Sequence, residues 1–232
     1  MPKPTLFTNT IHKDILREVI VKQFAQWLAS KETATFNTLE SDQWIVARQV
    51  AEIADAQSKK IKLHNFECQW SKVKQFCPWL KSAPSSVDYV QHNSGDDRFF
   101  RYIHEGNIPT FSWADYCGTP LKEEIKSFKK AIRKGDVVYV TFSLIPRYKP
   151  SIQKGILRLL ERRKSETWHT VGLGVAEKLE KYIRAKIGDD FKRIVYSHYV
   201  TNEGKRGQTP MITVGWHFEK DSQLVTNAAI SI

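Results

Sequence analysis

Two stretches of the chain, PTFSWADYCGTP at residues 109–120 and GDVVYVTFSL at residues 135–144, indicate the fold. Both contain runs of apolar, aromatic and β-branched residues that are typical of buried strands, and the segment between them has a helix-like pattern. A strand, a crossover helix and a second strand form a unit with parallel strands. Asp115, Tyr116 and Cys117 fall where the first strand gives way to the helix. Because ligands of open α/β sheets bind at the carboxyl ends of strands, these residues suggest a site.

The same alternation of helices and strands continues on both sides of this unit. Hydrophobic periodicity predicts helices at 12–29, 43–57, 69–80, 121–134 and 175–187, with a short one ending near 105. It predicts further strands at 34–39, 61–66, 87–92, 191–200 and 210–218, the last two forming a hairpin, and it places the second strand of the quoted unit at 136–144. This order predicts an α/β fold with a doubly wound sheet, mostly parallel, with a C-terminal antiparallel hairpin and an N-terminal helix. We expect one domain over 1–232, with an N-terminal helical addition at 1–33 and a basic insertion at 145–173.

Composition limits the classes of protein to which the chain can belong. At 232 residues it is long enough for one α/β domain with a proper core. Cys68, Cys77 and Cys117 form no C-x-x-C pair and leave one cysteine over in any pairing, which favours reduced thiols over disulfides or zinc. The histidines show no metal-binding spacing. No apolar run reaches the length of a membrane helix and no signal-peptide core is present, so we expect a cytoplasmic protein without a membrane partner.

The chain is strongly basic, with a formal net charge of +11 and a pI of about 9.5. A positive field attracts phosphates, which favours a nucleic acid (DNA or RNA) as the partner. The cations are densest in the predicted insertion, beside Tyr148 and Trp168. The candidate nucleic-acid-binding residues there are Arg147, Lys149, Lys154, Arg158, Arg162, Arg163 and Lys164. Apolar residues among these charges, such as Ile156 and Leu160, leave the alternative of a solvated basic helix with one buried side.

The order of elements resembles that of the class I S-adenosylmethionine-dependent methyltransferases, whose Rossmann-like sheet ends in a hairpin. The resemblance covers roughly residues 34 to 218 and implies S-adenosylmethionine as the cofactor. In that family an acidic residue after the second strand binds the ribose hydroxyls, and Glu67 stands at this position. An acidic or polar residue after the third strand contacts the adenine amine. Asp96 or Asp97 would do this, and both can equally cap the helix that follows.

One part of the family pattern is missing. The family's first strand leads into a glycine-rich loop, whereas this chain has no glycine before Gly95. The matching turn is LESDQ at residues 39–43, so the resemblance implies a degenerate, glycine-poor cofactor loop. Either the cofactor is held at Leu39, Glu40 and Ser41, with the last two contributing side chains, or cofactor binding has been lost.

The resemblance places the catalytic motif at the end of the fourth strand, where Asp115, Tyr116, Cys117 and Gly118 stand. The motif lacks both prolines of the Asp-Pro-Pro-Tyr sequence of amino-group methylation. Asp115, beside the cofactor, or Tyr116 would orient the acceptor or accept its proton. A thiolate route would depend on Cys117, because Phe142 stands where RNA cytosine-5 methyltransferases have their nucleophilic cysteine. The alternatives are that Asp115 caps the next helix and that Cys117 is a small buried hydrophobe.

These features together predict an S-adenosylmethionine-dependent methyltransferase that acts on nucleic acid. The alternative is a non-catalytic nucleic-acid-binding protein that keeps the methyltransferase fold. The missing glycines favour the alternative, whereas Glu67 and residues 115–118 favour the enzyme.

Overall fold

The chain builds a central sheet with helices against both faces. The computed structural model describes residues 11–39, 45–66, 82–92, 107–116, 122–144, 167–201, 209–224 and 230–231. The strands are β1 (Thr33–Thr38), β2 (Lys60–Phe66), β3 (Val87–His92), β4 (Thr110–Asp115), β5 (Val137–Ser143), β6 (Lys192–Thr201), β7 (Thr209–His217) and β8 (Ile230–Ser231). The helices are α1 (Ile11–Ala29), α2 (Ile45–Ala56), α3 (Lys122–Ala131) and α4 (Trp168–Ile187).

The eight strands of this sheet follow the order β3-β2-β1-β4-β5-β7-β6-β8. The strands from β3 to β5 are parallel to their neighbours, and β7 is antiparallel to both β5 and β6. The strand order reverses between β1 and β4, which is where ligands bind in sheets of this kind. The predicted doubly wound, mostly parallel sheet with a terminal antiparallel hairpin and an N-terminal helix is confirmed. β8 was not predicted, because two residues carry no periodic pattern.

Alternating side chains along β5 divide between two hydrophobic cores. Val137 and Tyr139 pack with residues of α1 and α2, whereas Val138, Val140 and Phe142 pack with residues of α3 and α4. β5 is buried along its whole length, as expected of a central strand with helices on both sides. We call the two sides of the sheet the α1/α2 face and the α3/α4 face.

The first helix is part of the core on the α1/α2 face. The ring of Phe24 meets the rings of Phe36 and Phe111 edge-on, with centroids 5.1 and 5.4 Å apart. In the last turn of α1, Trp27 Nε1 donates a hydrogen bond of 3.1 Å to the carbonyl of Gly135, just before β5. The helix therefore runs from the carboxyl edge of the sheet to the amino edge and holds β1, β4 and β5 together.

The structure corrects the start of the helix predicted at 175–187. α4 begins at Trp168, after the N-cap Thr167, whose side chain accepts a hydrogen bond of 3.2 Å from the Thr170 backbone N–H. Residues 168–173 therefore belong to α4, although they were predicted as part of the basic connection. The cap stabilises a start that the sequence pattern did not indicate.

Two glycines concealed this start, because glycine is unfavourable inside a helix. Gly172 is required by a close contact, since a Cβ there would lie 2.6 Å from the Tyr196 hydroxyl oxygen of β6 and 2.7 Å from Ile212 Cγ2 of β7. Gly174 has no atom within 4 Å of its Cβ position. The first glycine therefore reflects packing on the sheet, not a helix end.

The predicted end of α3 was also wrong, because the helix stops at Ala131 and not at 134. Arg133 Nε donates to Asp136 Oδ2 at 2.9 Å, and Gly135 adopts a φ of +82°, so this segment turns into β5. The helices predicted at 69–80 and near 105 lie outside the described residues. In the part of the chain that the structure describes, no helix has both the length and the apolar character that a membrane span requires.

Candidate active site at the carboxyl edge

The carboxyl ends of the parallel strands meet at one edge of the sheet, which we call the carboxyl edge. β4 is buried from Thr110 to Ala114 and then reaches Asp115, which keeps 11% of its side-chain surface exposed. Asp115 lies beside Thr141 of β5 in the strand register. The carboxylate therefore emerges from the core at the edge where ligands bind in open α/β sheets.

Asp115 is paired with a lysine from the first helix. Lys13 Nζ lies 2.6 Å from Asp115 Oδ2, and the Lys13 side chain is 19% exposed. A partly buried carboxylate is destabilising without such a partner. The pair fixes the start of α1 to the end of β4. The alternative that Asp115 caps the next helix stays a prediction, because residues 117–121 lie outside the described residues.

No residue of α1 was predicted to lie in the site. Lys13 is far from Asp115 in sequence, and a single lysine in an amphipathic helix gives no sign of its partner. The length of α1 offered an indirect signal, because 19 residues span about 28 Å, enough to cross a sheet from edge to edge. Next to Lys13, the His12 ring stacks on Tyr199 of β6, with centroids 6.5 Å apart and planes at 17°. The first turn of α1 therefore lies over the carboxyl edge between β4 and β6.

Tyr116 follows Asp115 but points to the opposite face. Its side chain is only 3% exposed and belongs to the core on the α3/α4 face. Its backbone N–H donates a hydrogen bond of 2.9 Å to the Thr141 carbonyl and continues the pairing with β5. The two residues were predicted together, but they do not face the same space. A catalytic role for Tyr116 stays a prediction.

The end of β1 supplies Leu39, the described member of the predicted cofactor loop. Its backbone N–H donates to the Trp113 carbonyl at 3.2 Å, and its side chain is 7% exposed. Before it, Thr38 is fully buried, and its Oγ1 has no hydrogen-bond partner among the described residues. A buried hydroxyl of this kind is a polar group that a ligand or water can satisfy.

A row of buried hydrogen bonds supports Asp115 from the side of the core. Trp113 Nε1 donates to Thr141 Oγ1 at 3.2 Å, and Thr141 Oγ1 shares a hydrogen bond of 2.8 Å with Thr213 Oγ1. These side chains come from β4, β5 and β7, and all are fully buried. Satisfied buried polar networks rigidify the strands that carry them. The end of β4 is therefore held firmly.

The ends of β2 and β3 carry a stack of three rings. The rings of Phe66 and His92 lie 4.3 Å apart at 9°, and those of His92 and His64 lie 5.0 Å apart at 13°. His64 Nδ1 and His92 Nε2 share a hydrogen bond of 2.8 Å. Phe66 and His64 are 2% and 1% exposed, so the stack is largely buried at the ends of β2 and β3, and only His92 is half-buried.

The other predicted site residues lie outside the described residues. They are Cys117 of the catalytic set, Glu40, Ser41, Glu67, Asp96 and Asp97 of the cofactor set, and Arg147, Lys149, Lys154, Arg158, Arg162, Arg163 and Lys164 of the nucleic-acid set. Within the described ranges, no three His, Cys, Asp or Glu side chains are grouped so that they could hold a metal ion.

No protein-family model and no curated protein matches the chain. Similar solved structures include a proposed rRNA methylase from Clostridium thermocellum, at 12% identity over 90% of this chain and 97% of that chain, with a TM-score of 0.48. A precorrin-6y C5,15-methyltransferase from Geobacter metallireducens GS-15 has 10% identity, covers 91% and 94%, and has a TM-score of 0.47. An rRNA methylase from Streptococcus thermophilus has 8% identity, covers 90% and 98%, and has a TM-score of 0.44.

The strand order of this chain, with the antiparallel β7 inserted between β5 and β6, decides the type of fold. The chain has the class I methyltransferase fold. A methyltransferase fold does not by itself fix a reaction, so function has to be argued from the residues of the site.

Proposed function

We propose that this chain is an S-adenosylmethionine-dependent methyltransferase that acts on nucleic acid. The observation that carries the proposal is the position of Asp115, a partly exposed carboxylate at the carboxyl end of β4, next to the switch point between β1 and β4. In a sheet of this type, that position borders both a bound nucleotide-like ligand and the group that reacts with it.

The chemistry of the carboxyl edge fits a nucleoside. The half-buried His92 ring lies at the end of β3, stacked on the buried Phe66, and the buried Thr38 hydroxyl offers a polar contact at the end of β1. Glu67 directly follows Phe66 in the chain and would take the ribose hydroxyls. When bound, S-adenosylmethionine supplies a methyl group on a positively charged sulfur.

Further residues would complete the cofactor site in this proposal. Leu39, Glu40 and Ser41 would line it after β1, and Asp96 or Asp97 would contact the adenine amine after β3. Glu40 and Ser41 would bind the cofactor through their side chains, in place of the close backbone contact that a glycine-rich loop allows.

Asp115 would act on the acceptor. Its Oδ2 is held by Lys13, and a carboxylate has a second oxygen that can accept a hydrogen bond. An acceptor N–H or O–H on that oxygen would be oriented toward the donor, and its proton would pass to the carboxylate as the methyl group is transferred. Lys13 would keep Asp115 in place during this step.

The nucleic-acid part of the proposal is supported by charge. The net charge is +11, and seven candidate cations fall between Arg147 and Lys164, directly before α4. Neutralised phosphates contribute most of the affinity in such interfaces.

The second candidate function is a non-catalytic nucleic-acid-binding protein with the same fold. Two observations favour it: the chain has no glycine before Gly95, and the carboxylate of Asp115 is already paired with Lys13.

Calorimetric titration with S-adenosylmethionine separates the two candidates. We expect binding by the parent protein, and we expect Glu67→Ala to weaken it by about 1.5–3 kcal/mol, the range for hydrogen bonds to a charged group. Glu219→Ala is the control, because Glu219 lies beyond β7 at the opposite edge of the sheet. Absence of binding by the folded parent protein would reject the enzyme in favour of the second candidate.

A further inference from the structure

A cavity of about 300 Å³ lies at the amino edge of the sheet, where β1, β4 and β5 begin. We call it the Lys31 cavity. Its volume is at the lower end of the range for small-molecule sites. Because the candidate active site is at the carboxyl edge, the two sites are separate. The residues that line the cavity include Lys31, Asn107, Arg133, Lys134, Gly135 and Asp136.

The lining of the Lys31 cavity is cationic. Among the described residues that line it, Lys31, Arg133 and Lys134 are positively charged, and Asp136 is the one acid. Arg133 Nε donates to Asp136 Oδ2 at 2.9 Å, so these two charges largely offset each other. The charges of the two lysines remain, although Lys134 also pairs with Asp190, which is not part of the lining. A concave surface of this charge attracts an anion.

Lys31 has no carboxylate partner among the described residues. Its side chain is half-buried, and its Nζ lies 5.8 Å from the centroid of the Trp27 ring. Burial lowers the pKa of His217, and the Lys31 charge lowers it further. Glu219 and a hydrogen bond with the Gly135 backbone act in the opposite direction. The charge of Lys31 therefore acts on the core, and an anion in the cavity would neutralise it.

The Lys31 cavity is built on a fixed frame. Trp27 Nε1 donates a hydrogen bond of 3.1 Å to the Gly135 carbonyl, and the Thr110 backbone N–H donates one of 3.0 Å to Asp136 Oδ1. Arg133 also donates from Nη2 to Thr110 Oγ1, at 3.3 Å. These contacts join the end of α1 and the starts of β4 and β5. A ligand in the cavity would therefore lose little free energy in ordering the protein.

We propose that the Lys31 cavity binds a small molecule with a phosphate monoester group, whose oxygens accept hydrogen bonds from Lys31, Lys134 and the Asn107 amide. A phosphate monoester has a charge of about −1.5 to −2 at pH 7, which two lysines neutralise. An internal phosphate of a nucleic acid has a single charge and matches the lining less well. Lys134 can exchange Asp190 for the ligand, because an exposed ion pair contributes little. The site does not depend on the proposed function.

The test is calorimetric titration with inorganic phosphate and, separately, with a nucleoside 5′-monophosphate, at constant ionic strength set with chloride. Lys31→Ala should raise the Kd of both by about 10- to 150-fold, which corresponds to one hydrogen bond to a charged group. Lys31→Arg keeps the charge and should bind within a few-fold of the parent. Tighter binding of the monophosphate would assign an organic part to the ligand, and equal binding would assign the site to free phosphate.

The matched control is Lys220→Ala, which removes an exposed lysine at the same edge that does not line the Lys31 cavity. Its Kd should stay close to that of the parent. Asp190→Asn should lower the Kd, because it releases Lys134 for the ligand. Thermal unfolding without phosphate verifies that each variant is folded. If Lys31→Ala is unfolded, Lys31→Gln and Lys134→Ala provide the same comparison.

The His217 ring reports where the anion binds. A bound phosphate offsets the Lys31 charge, so saturating phosphate should raise the pKa of His217, measured by NMR titration of its ring. In Lys31→Ala the pKa of His217 should be higher than in the parent without phosphate and should not respond to it. A parent His217 whose pKa is unchanged by saturating phosphate would place the anion elsewhere and overturn the proposal.

The proposal is also overturned if the parent binds neither phosphate compound, or if folded Lys31→Ala binds both like the parent. An equal rise of the Kd in Lys220→Ala and Lys31→Ala would overturn it too, because net charge would then explain the binding. Failure of the parent to bind S-adenosylmethionine would reject the enzyme function and leave the Lys31 cavity unaffected, because the two titrations use different ligands.

Discussion

Lys13 and Asp115 join the first turn of the first helix to the end of the fourth strand, with Nζ and Oδ2 2.6 Å apart. At the far end of the same helix, Trp27 Nε1 donates a hydrogen bond of 3.1 Å to the Gly135 carbonyl. α1 is therefore attached at both edges of the sheet. In the proposed reaction, an acceptor at Asp115 would share the carboxylate with the ammonium group or displace it.

Substitution of this pair separates its structural role from its chemical role. Asp115→Asn removes the charge and basicity, so methyl transfer should fall by about 10²–10⁴, the usual weight of a positioned general base. Lys13→Met leaves the carboxylate in place and should keep methyl transfer within about ten-fold of the parent, since the proton acceptor remains. Both changes should lower the free energy of unfolding by about 1–3 kcal/mol, because each removes a partly buried ion pair between α1 and β4.

The measurements are single-turnover methyl transfer and urea unfolding on the parent, both single variants and the double variant. A double-mutant cycle gives the coupling energy of the pair. Activity of Asp115→Asn close to that of the parent would assign the carboxylate to holding α1 and nothing more. Equal loss of activity in Lys13→Met would show that the two residues act as a unit.

The two glycines of α4 should respond to alanine in opposite directions. Gly174→Ala should raise the free energy of unfolding by about 0.5–1 kcal/mol, because it removes glycine from a helix interior with open space around it. Gly172→Ala should lower it by about 1–3 kcal/mol, because the new methyl group overlaps the Tyr196 hydroxyl. Urea unfolding measures both. Tyr196→Phe should relieve part of the Gly172→Ala loss, with the contact to Ile212 remaining, and equal stability of the two alanine variants would contradict the packing at Gly172.

These glycines show where local sequence stops predicting structure. β2 and β3 were predicted at 61–66 and 87–92 and are found at Lys60–Phe66 and Val87–His92, because alternating and apolar runs are local signals. The start of α4 was missed because Gly172 makes room for the Tyr196 side chain of β6. A contact between residues this far apart in the chain leaves no trace in the local sequence pattern.

In the candidate site, too, one feature was predictable from local sequence and another was not. The position of Asp115 at the end of β4 was predictable from a buried run that ends in an acidic residue. Its partner Lys13 was not, because the contact depends on how a long helix crosses the sheet. The separation of Asp115 from Tyr116 follows from strand alternation, which places successive side chains on opposite faces even where they read as one motif in the sequence.

The stability of the fold should fall in mild acid because of His217. The residue is 5% exposed, and burial lowers its pKa from 6.5, although Glu219 and a hydrogen bond with the Gly135 backbone act in the opposite direction. The unfolded chain therefore takes up a proton at a higher pH than the folded chain. The free energy of unfolding should be greatest above pH 6.5 and should decrease as the pH falls from 6.5 through the lower folded pKa.

Urea unfolding at several pH values between 7.5 and 5 checks this dependence. His217→Asn removes the titrating group, so its stability should fall less steeply with decreasing pH than that of the parent. The neutral ring shares a hydrogen bond of 2.7 Å with Ser222 Oγ, so Ser222→Ala is the control for removing that bond while keeping the imidazole. An unchanged pH dependence in His217→Asn would assign the acid sensitivity to other groups.

The basic connection before α4 should determine the salt dependence of nucleic-acid binding. Replacing Arg158, Arg162 and Arg163 by Ala should reduce the slope of log affinity against log salt by about 0.7–0.9 for every phosphate that the variant no longer neutralises.

The control is a variant with Lys134, Arg184 and Lys220 replaced by Ala, which removes the same charge from the amino edge, where Lys134 and Arg184 are 66% and 52% exposed. That variant should keep a slope near that of the parent, because lowering the net charge at the amino edge removes no phosphate contact at the basic connection. The amino-edge variant should unfold at a temperature close to that of the parent, because exposed charges contribute little to stability. Thermal unfolding of both triple variants verifies that they are folded. If the slope falls equally in the two variants, net charge explains the binding; if it falls only in the amino-edge variant, the binding surface lies at that edge.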